Sequence, residues 1–134
     1  EKMYEKIPPT QATTTEDFTK ELMHNTARRL VIHPGNQTYK GNLFVLTNHN
    51  TASTCEPIVY TLKQTNMATI VGEKTAGAML SAVPLKITDK YYLFMPIADY
   101  YTNDGVRLEQ KGVKPDINIE SQNALEYVRK HFLK

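Results

Sequence analysis

The residues best placed to do chemistry lie in Asn48-His49-Asn50-Thr51-Ala52-Ser53-Thr54-Cys55-Glu56-Pro57, a turn of small residues between an apolar run and a helical pattern. Ser53 is the candidate nucleophile. Upstream, Leu43-Phe44-Val45-Leu46 is rich in strand formers, and downstream Ile58, Val59 and Leu62 recur at helical spacing. A serine between them sits at the positive end of a helix, where unpaired backbone N–H groups and the macrodipole favour an alkoxide or a tetrahedral oxyanion. Acyl transfer must stabilise that charge. Serine and threonine are also the preferred helix N-caps, so the turn taken alone equally describes a capping residue. Cys55 is expected to be a small packed hydrophobe rather than a thiol nucleophile.

Three later segments follow in order: Ile70-Val71-Gly72-Glu73-Lys74-Thr75-Ala76-Gly77-Ala78, then Tyr91-Tyr92-Leu93-Phe94-Met95-Pro96, then Gly105 to Ile117 with its Glu109-Gln110-Lys111-Gly112-Val113-Lys114-Pro115-Asp116. Together T-A-S-x-x-E, V-G-E-x-T-x-G and E-x-K-G-V-x-P-D, at these separations, resemble the serine peptidase family of the C-terminal processing (tail-specific) peptidases, the tricorn protease core and the interphotoreceptor retinoid-binding proteins. The resemblance covers about residues 40 to 120.

The resemblance implies a role for each matching residue. Ser53 falls on the family's nucleophile, and the Thr54 amide on one half of its oxyanion hole. On the tricorn-like branch Glu109 matches the glutamate that orients the histidine or positions substrate groups; read from its own surroundings, after the Asp104-Gly105 turn, it is equally a solvated rim residue. The lysine base of the processing peptidases has no counterpart, because its place is Ala78. Lys74, in the same loop, reads as a solvated charge paired beside Glu73. Of His24, His33, His49 and His131 none matches the family's histidine, and His49, four residues before Ser53, reads as a surface or structural group. The family's D-x-R-x-N-x-G-G segment, which supplies the other oxyanion amide, has no match before residue 40. The chain is therefore expected to be the C-terminal portion of a longer enzyme, with residues 1–14 a linker and 15–134 the later part of a catalytic domain.

Composition fits this expectation. A chain of 134 residues is of single-domain size and buries roughly two thirds of its unfolded surface. Sixteen Lys and Arg against fourteen Asp and Glu leave a formal charge of +2 with no basic run, so nucleic acid is not an expected partner. One cysteine excludes an intrachain disulfide. No apolar run approaches the roughly 18 residues of a membrane span. The N-terminus has no signal-peptide character, although the resemblance suggests an exported parent protein. No cofactor is expected: the hydrolysis that the resemblance implies needs no metal or nucleotide, and G-E-K-T-A-G lacks the G-K-[ST] ending of a phosphate cradle.

The elements that position these residues follow from periodicity and punctuation. Thr14 with Asp17 forms a capping-box-like start to an amphipathic edge helix of about residues 15 to 30, carrying Phe18, Leu22, Ala27 and Leu30. His33-Pro34-Gly35-Asn36 is a turn before a strand over 42–47. A helix over about 55 to 66 and a short buried strand over 69–71 come next. Leu85 to Thr88 and Tyr91 to Ile97 read as a hairpin across Asp89-Lys90, with alternating Tyr91, Leu93 and Met95 packed on a sheet face or lining a groove. A second hairpin joins Tyr100-Tyr101 to Val106–Leu108. Ile117 to Ile119 is an edge strand, and Ser121 caps a last helix with Leu125, Val128 and Phe132.

This order supports a mixed α/β domain, and the resemblance narrows it to the C-terminal portion of a ClpP/crotonase-like α/β fold. The expected activity is that of a serine endopeptidase acting on a peptide or protein substrate. The fragment is expected to be inactive without the missing N-terminal half of the same chain, which would carry the base; self-association as a homo-oligomer is left open. The alternative is a non-catalytic binding module for an apolar ligand or peptide, made credible by Ala78 in the lysine's place.

Overall fold

A computed structural model describes residues 3–24, 27–31, 33 and 35–133. After a 3-10 turn at Met3–Lys6 the chain runs through α1 (Thr15–Met23), β1 (Phe44–Thr47), α2 (Cys55–Gln64), β2 (Thr69–Gly72), β3 (Ser81–Lys86), β4 (Tyr92–Ala98), β5 (Ile117–Asn118) and α3 (Ser121–Phe132). These form two compact units, residues 41–81 with 99–134, and residues 1–40 with 82–98.

The larger unit is a parallel sheet in the order β1-β2-β5, with Phe44 opposite Thr69, Thr47 opposite Gly72 and Val71 opposite Ile117. Adjacent β2 residues point to opposite faces. Ile70 packs with Val59 of α2, Met79, Leu108 and Val113, whereas Val71 packs with Ala124 and Val128 of α3. The two helices therefore cover opposite faces, giving a three-layer, mixed α/β arrangement. Ile117 does lie in an edge strand, as expected.

Helix ends show where the sequence pattern meets other forces. α2 stops at Gln64, two residues short of the expected end, because Asn66 turns to φ 54 and closes a Schellman motif. Its N–H donates to Lys63 O at 3.0 Å, and that of Met67 to Leu62 O at 2.9 Å. Ser121 is not the cap of α3: Glu120 holds that position without a side-chain bond, and the Ser121 N–H is taken by Glu73 Oε1 at 3.1 Å.

In the smaller unit the capping interaction forms as expected, with the Asp17 N–H donating to Thr14 Oγ1 at 3.1 Å. α1 ends at Met23 rather than near residue 30. Ala27 and Leu30 are not helical, since Arg29 spends its backbone on an extended bridge, its N–H donating to Pro8 O and its C=O accepting from Thr10 N, both at 2.9 Å. The expected turn at 33–36 includes Pro34, outside the described residues. β3 and β4 pair as the expected hairpin, closed by Ile87 N to Tyr91 O at 3.0 Å. Its alternation does not translate into packing: Tyr91, Leu93 and Met95 are exposed, and so are Tyr92 and Phe94 on the other face, although α1 touches β4. No helix among the described residues is long and apolar enough to cross a membrane.

Candidate active site

The turn that leaves β1 is built by local polar bonds. Asn48 Oδ1 accepts from Asn50 N at 2.9 Å, and Thr51 Oγ1 accepts from Asn48 N at 3.1 Å, closing an Asx-type turn. Ser53 then adopts φ 56, a left-handed conformation uncommon for a residue with a Cβ. Both of its backbone polar groups are held. Its N–H donates to Ala78 O at 3.1 Å and to Glu56 Oε1 at 3.2 Å, and its C=O accepts from Glu56 N at 2.9 Å. The side chain is exposed, and its hydroxyl has no hydrogen-bond partner among the described residues.

Thr54 follows as the cap residue of α2, exposed and without a side-chain cap bond. Among the described residues its N–H meets no acceptor, whereas the next two amides are taken, that of Cys55 by Ala52 O at 3.3 Å and that of Glu56 by Ser53 O at 2.9 Å, so the Thr54 N–H is the amide left open at the positive end of α2. Cys55 is exposed, contrary to the packed position expected of it; the buried residues of this helix are Glu56 and Val59.

Glu56 is the residue that sequence reasoning passed over. Its carboxylate is wholly buried, and no cation pairs with it among the described residues; four donors satisfy it instead. Oε1 accepts from Ser53 N at 3.2 Å and Ala78 N at 2.8 Å, and Oε2 from Thr75 Oγ1 at 2.6 Å and Gly77 N at 2.8 Å. The available signal was the S-x-x-E spacing, the capping-box pattern in which a glutamate returns to a backbone N–H three residues back.

The loop that receives these bonds is tightly constrained. Thr75 Oγ1 also accepts from Val113 N at 2.7 Å, and a Cβ on Gly112, at φ 62, would lie 2.4 Å from Thr75 O. A Cβ on Gly77, at φ 72, would lie 2.8 Å from Gly112 N. The two glycines of the signature segments thus allow two backbones to touch.

Glu109 is half-buried and reaches the same loop. Its Oε2 accepts from Met79 N at 2.6 Å and Leu80 N at 3.1 Å, while Oε1 has no hydrogen-bond partner among the described residues. Ser53 bonds to Ala78 and Glu109 to Met79, so the two expected site residues attach to neighbouring positions of one segment. Ala78, in the register of the processing peptidases' lysine, presents an exposed methyl group.

No described histidine hydrogen-bonds to Ser53. His49 Nδ1 lies 3.3 Å from Glu73 Oε2 on the surface. The Ser121 amide and, after it, His49 hold the Glu73 carboxyl below its ordinary value. Lys74 is exposed and forms no ion pair among the described residues. Behind the site, Tyr60 Oη donates to Asp104 Oδ2 at 2.7 Å and the Thr102 hydroxyl donates to Oδ1, pinning the 102–106 turn to α2. Those two bonds, Thr102 first, hold Asp104 below its ordinary value. Among the described residues no group of three or more His, Cys, Asp or Glu is arranged to hold a metal ion.

A family model described as Peptidase family S41 matches residues 3–119. The chloroplastic C-terminal processing peptidase of Tetradesmus obliquus is 32% identical over 80 residues, which is 60% of this chain and 17% of that protein. The tricorn protease of Thermoplasma volcanium is 27% identical over 106 residues, 77% of this chain and 10% of that protein. Among solved structures, the photosystem II D1 C-terminal processing protease aligns with a TM-score of 0.54 at 30% identity, over 69% of this chain and 25% of its own. Mature CPAF complexed with lactacystin aligns with a TM-score of 0.61 at 24% identity, over 74% of this chain and 21% of its own, a likeness of fold. The chain thus spans a quarter or less of each of these proteins.

Proposed function

The chain belongs to peptidase family S41, and from that premise we propose that residues 15–134 are the C-terminal portion of a serine endopeptidase's catalytic domain, with 1–14 leading into it. The observation that carries this reading is Ser53, exposed at φ 56 between β1 and α2, followed by a Thr54 N–H with no acceptor among the described residues. Ser53 Oγ attacks the substrate carbonyl carbon while a base from another part of the protein takes the hydroxyl proton. The tetrahedral oxyanion receives the Thr54 N–H and the positive end of α2. The base then protonates the leaving amine, and water hydrolyses the acyl-serine. Glu109, anchored through Oε2, keeps Oε1 for orienting that base.

The parallel β1-β2-β5 sheet with helices on both faces supports a ClpP/crotonase-like assignment. Taken by itself the chain is inactive in this reading, because it lacks a base and half of the oxyanion hole. A fluorophosphonate probe applied to the full-length protein tests the proposal: labelling that disappears in Ser53→Ala supports it, and absence of labelling in the wild type overturns it. Ala78, a methyl group where the processing peptidases place lysine, favours one second reading, a non-catalytic module that binds an apolar ligand or peptide. For that module the same protein would resist the probe and bind an apolar ligand saturably.

A further inference from the structure

The left-handed turn at Ser53 needs something to hold it, because no glycine relieves the crowding of its Cβ and the surrounding backbone is exposed. The buried carboxylate beneath it is the group that does so. We propose that Glu56 is the positioning residue of the nucleophile turn, and that Thr75 is the group that aims it; this rests on the reading of Ser53 as nucleophile.

The geometry supports a division of labour between adjacent amides. Glu56 Oε1 occupies the Ser53 N–H and Ala78 N–H together, at 3.2 and 2.8 Å, tying the turn to the loop whose Ala78 carbonyl also accepts from Ser53. The Ser53 N–H is thereby committed inward, and the next one, on Thr54, is left to meet the oxyanion. On the far side, Thr75 Oγ1 donates to Oε2 at 2.6 Å and is itself fixed by Val113 N at 2.7 Å. A carboxylate accepts all four bonds; a glutamine of the same shape accepts with one oxygen and turns an NH2 against two donors. Glu56→Gln therefore changes the turn while leaving size and packing almost unaltered. A buried charge is normally paired with a cation; here neutral donors from the nucleophile turn and the facing loop replace it, so the charge is satisfied only while these two segments stay together.

The test uses the full-length protein with a peptide substrate and the variants Glu56→Gln, Thr75→Val and Thr75→Ser. Displacement of a reacting group by around an ångström costs on the order of 100-fold in rate, so Glu56→Gln is expected to lower kcat by about that factor with KM within about threefold. Thr75→Val, which removes the donor without touching the turn, is expected to lower kcat in the same manner, and Thr75→Ser, which restores the hydroxyl, to recover it. Amide hydrogen exchange provides the arm that needs no activity: Ser53, Gly77 and Ala78 exchange faster in Glu56→Gln while the β2 amides stay protected. Unchanged kcat in Glu56→Gln, or exchange at those three amides equal to wild type, overturns the proposal. If loss of activity tracks global unfolding and Thr75→Ser fails to restore what Thr75→Val removes, Glu56 is structural only and the proposal is likewise overturned. A wild type that neither labels nor hydrolyses peptide overturns the hydrolase reading instead, and the exchange arm still decides whether Glu56 holds the turn.

Discussion

Glu56 and Glu109 divide four consecutive amides between them, Glu56 taking those of Gly77 and Ala78 and Glu109 those of Met79 and Leu80. The four N–H groups of this segment are therefore met by carboxylates, while Gly77 O and Ala78 O accept from the backbone of Gln110 and Ser53. One carboxylate lies on the helix that follows Ser53, and the other on the segment that carries G-V-x-P-D. This arrangement couples two distant signature motifs through a third.

Glu109→Ala strands two amides, one of them on buried Met79, and removing the acceptor from a buried donor costs about 1–3 kcal/mol. Partial exposure of the carboxylate places the expected loss at the lower end of that range. Glu109→Gln keeps one acceptor oxygen for both amides and is expected to cost well under about 1 kcal/mol. Urea unfolding of the two variants measures the difference, and equal midpoints for wild type and Glu109→Ala would remove the anchoring role.

The glycines give a graded set. Gly72 sits at φ 125 with Thr47 O only 2.1 Å from where a Cβ would stand, whereas Gly105, at φ 81, has nothing within 4 Å. Gly105→Ala is expected to cost about 1 kcal/mol from backbone conformation alone. Gly72→Ala adds a backbone clash in the centre of the parallel sheet and is expected to cost more than about 3 kcal/mol or to prevent folding. Thermal unfolding ranks the pair, and Gly72→Ala at least as stable as Gly105→Ala would contradict the close approach of β1 and β2.

Elements driven by local pattern were legible in the chain, and those set by distant partners were not. The Leu43–Leu46 run, the helical spacing of Ile58, Val59 and Leu62, and the Thr14–Asp17 cap all appear where expected, because each depends on residues within a turn or two. Glu56 escaped notice because three of its four donors, on Thr75, Gly77 and Ala78, lie about twenty positions away, and an acidic residue is usually solvated. The cap of α3 was assigned to Ser121 for a similar reason, since the carboxylate that serves its amide comes from Glu73, 48 positions earlier. Ser53 was legible as a serine in a strand-to-helix turn, but its positive φ was not, being imposed by Glu56 and Ala78.

Depressed carboxylates set the acid response. Asp104 lies below its ordinary value through the Thr102 and Tyr60 hydroxyls; burial pushes Asp116 up, but the bonds from Lys63 and the Ile70 amide outweigh it and bring it below. A carboxyl whose folded value is lowered contributes stability that is present above the unfolded value, about 3.9 for Asp, and is lost as pH falls through the folded value. Stability is therefore expected to decline from about pH 4 downward. Tyr60→Phe removes one of the bonds that lower Asp104, so its carboxyl should titrate closer to the ordinary value. Side-chain carboxyl NMR across the acid range measures this, and an Asp104 titration unmoved by Tyr60→Phe would mean that the bond to α2 does not operate.

Cys55 separates two descriptions of the first turn of α2. A thiol packed in a core resists modification, and its replacement by serine buries an unsatisfied hydroxyl at a cost of about 1–3 kcal/mol. An exposed thiol reacts under native conditions, and Cys55→Ser then stays within about 0.5 kcal/mol of wild type. The side chain stands exposed two residues after Ser53, so the second outcome is expected for this chain, with a small maleimide labelling Cys55 before any unfolding. Because that adduct would occupy the approach to the Ser53 hydroxyl, prior maleimide treatment of the full-length protein should also slow fluorophosphonate labelling, and the Cys55→Ser variant should be indifferent to the treatment. Slow thiol reaction in the folded chain would place Cys55 inside and require the helix start to be turned toward the sheet.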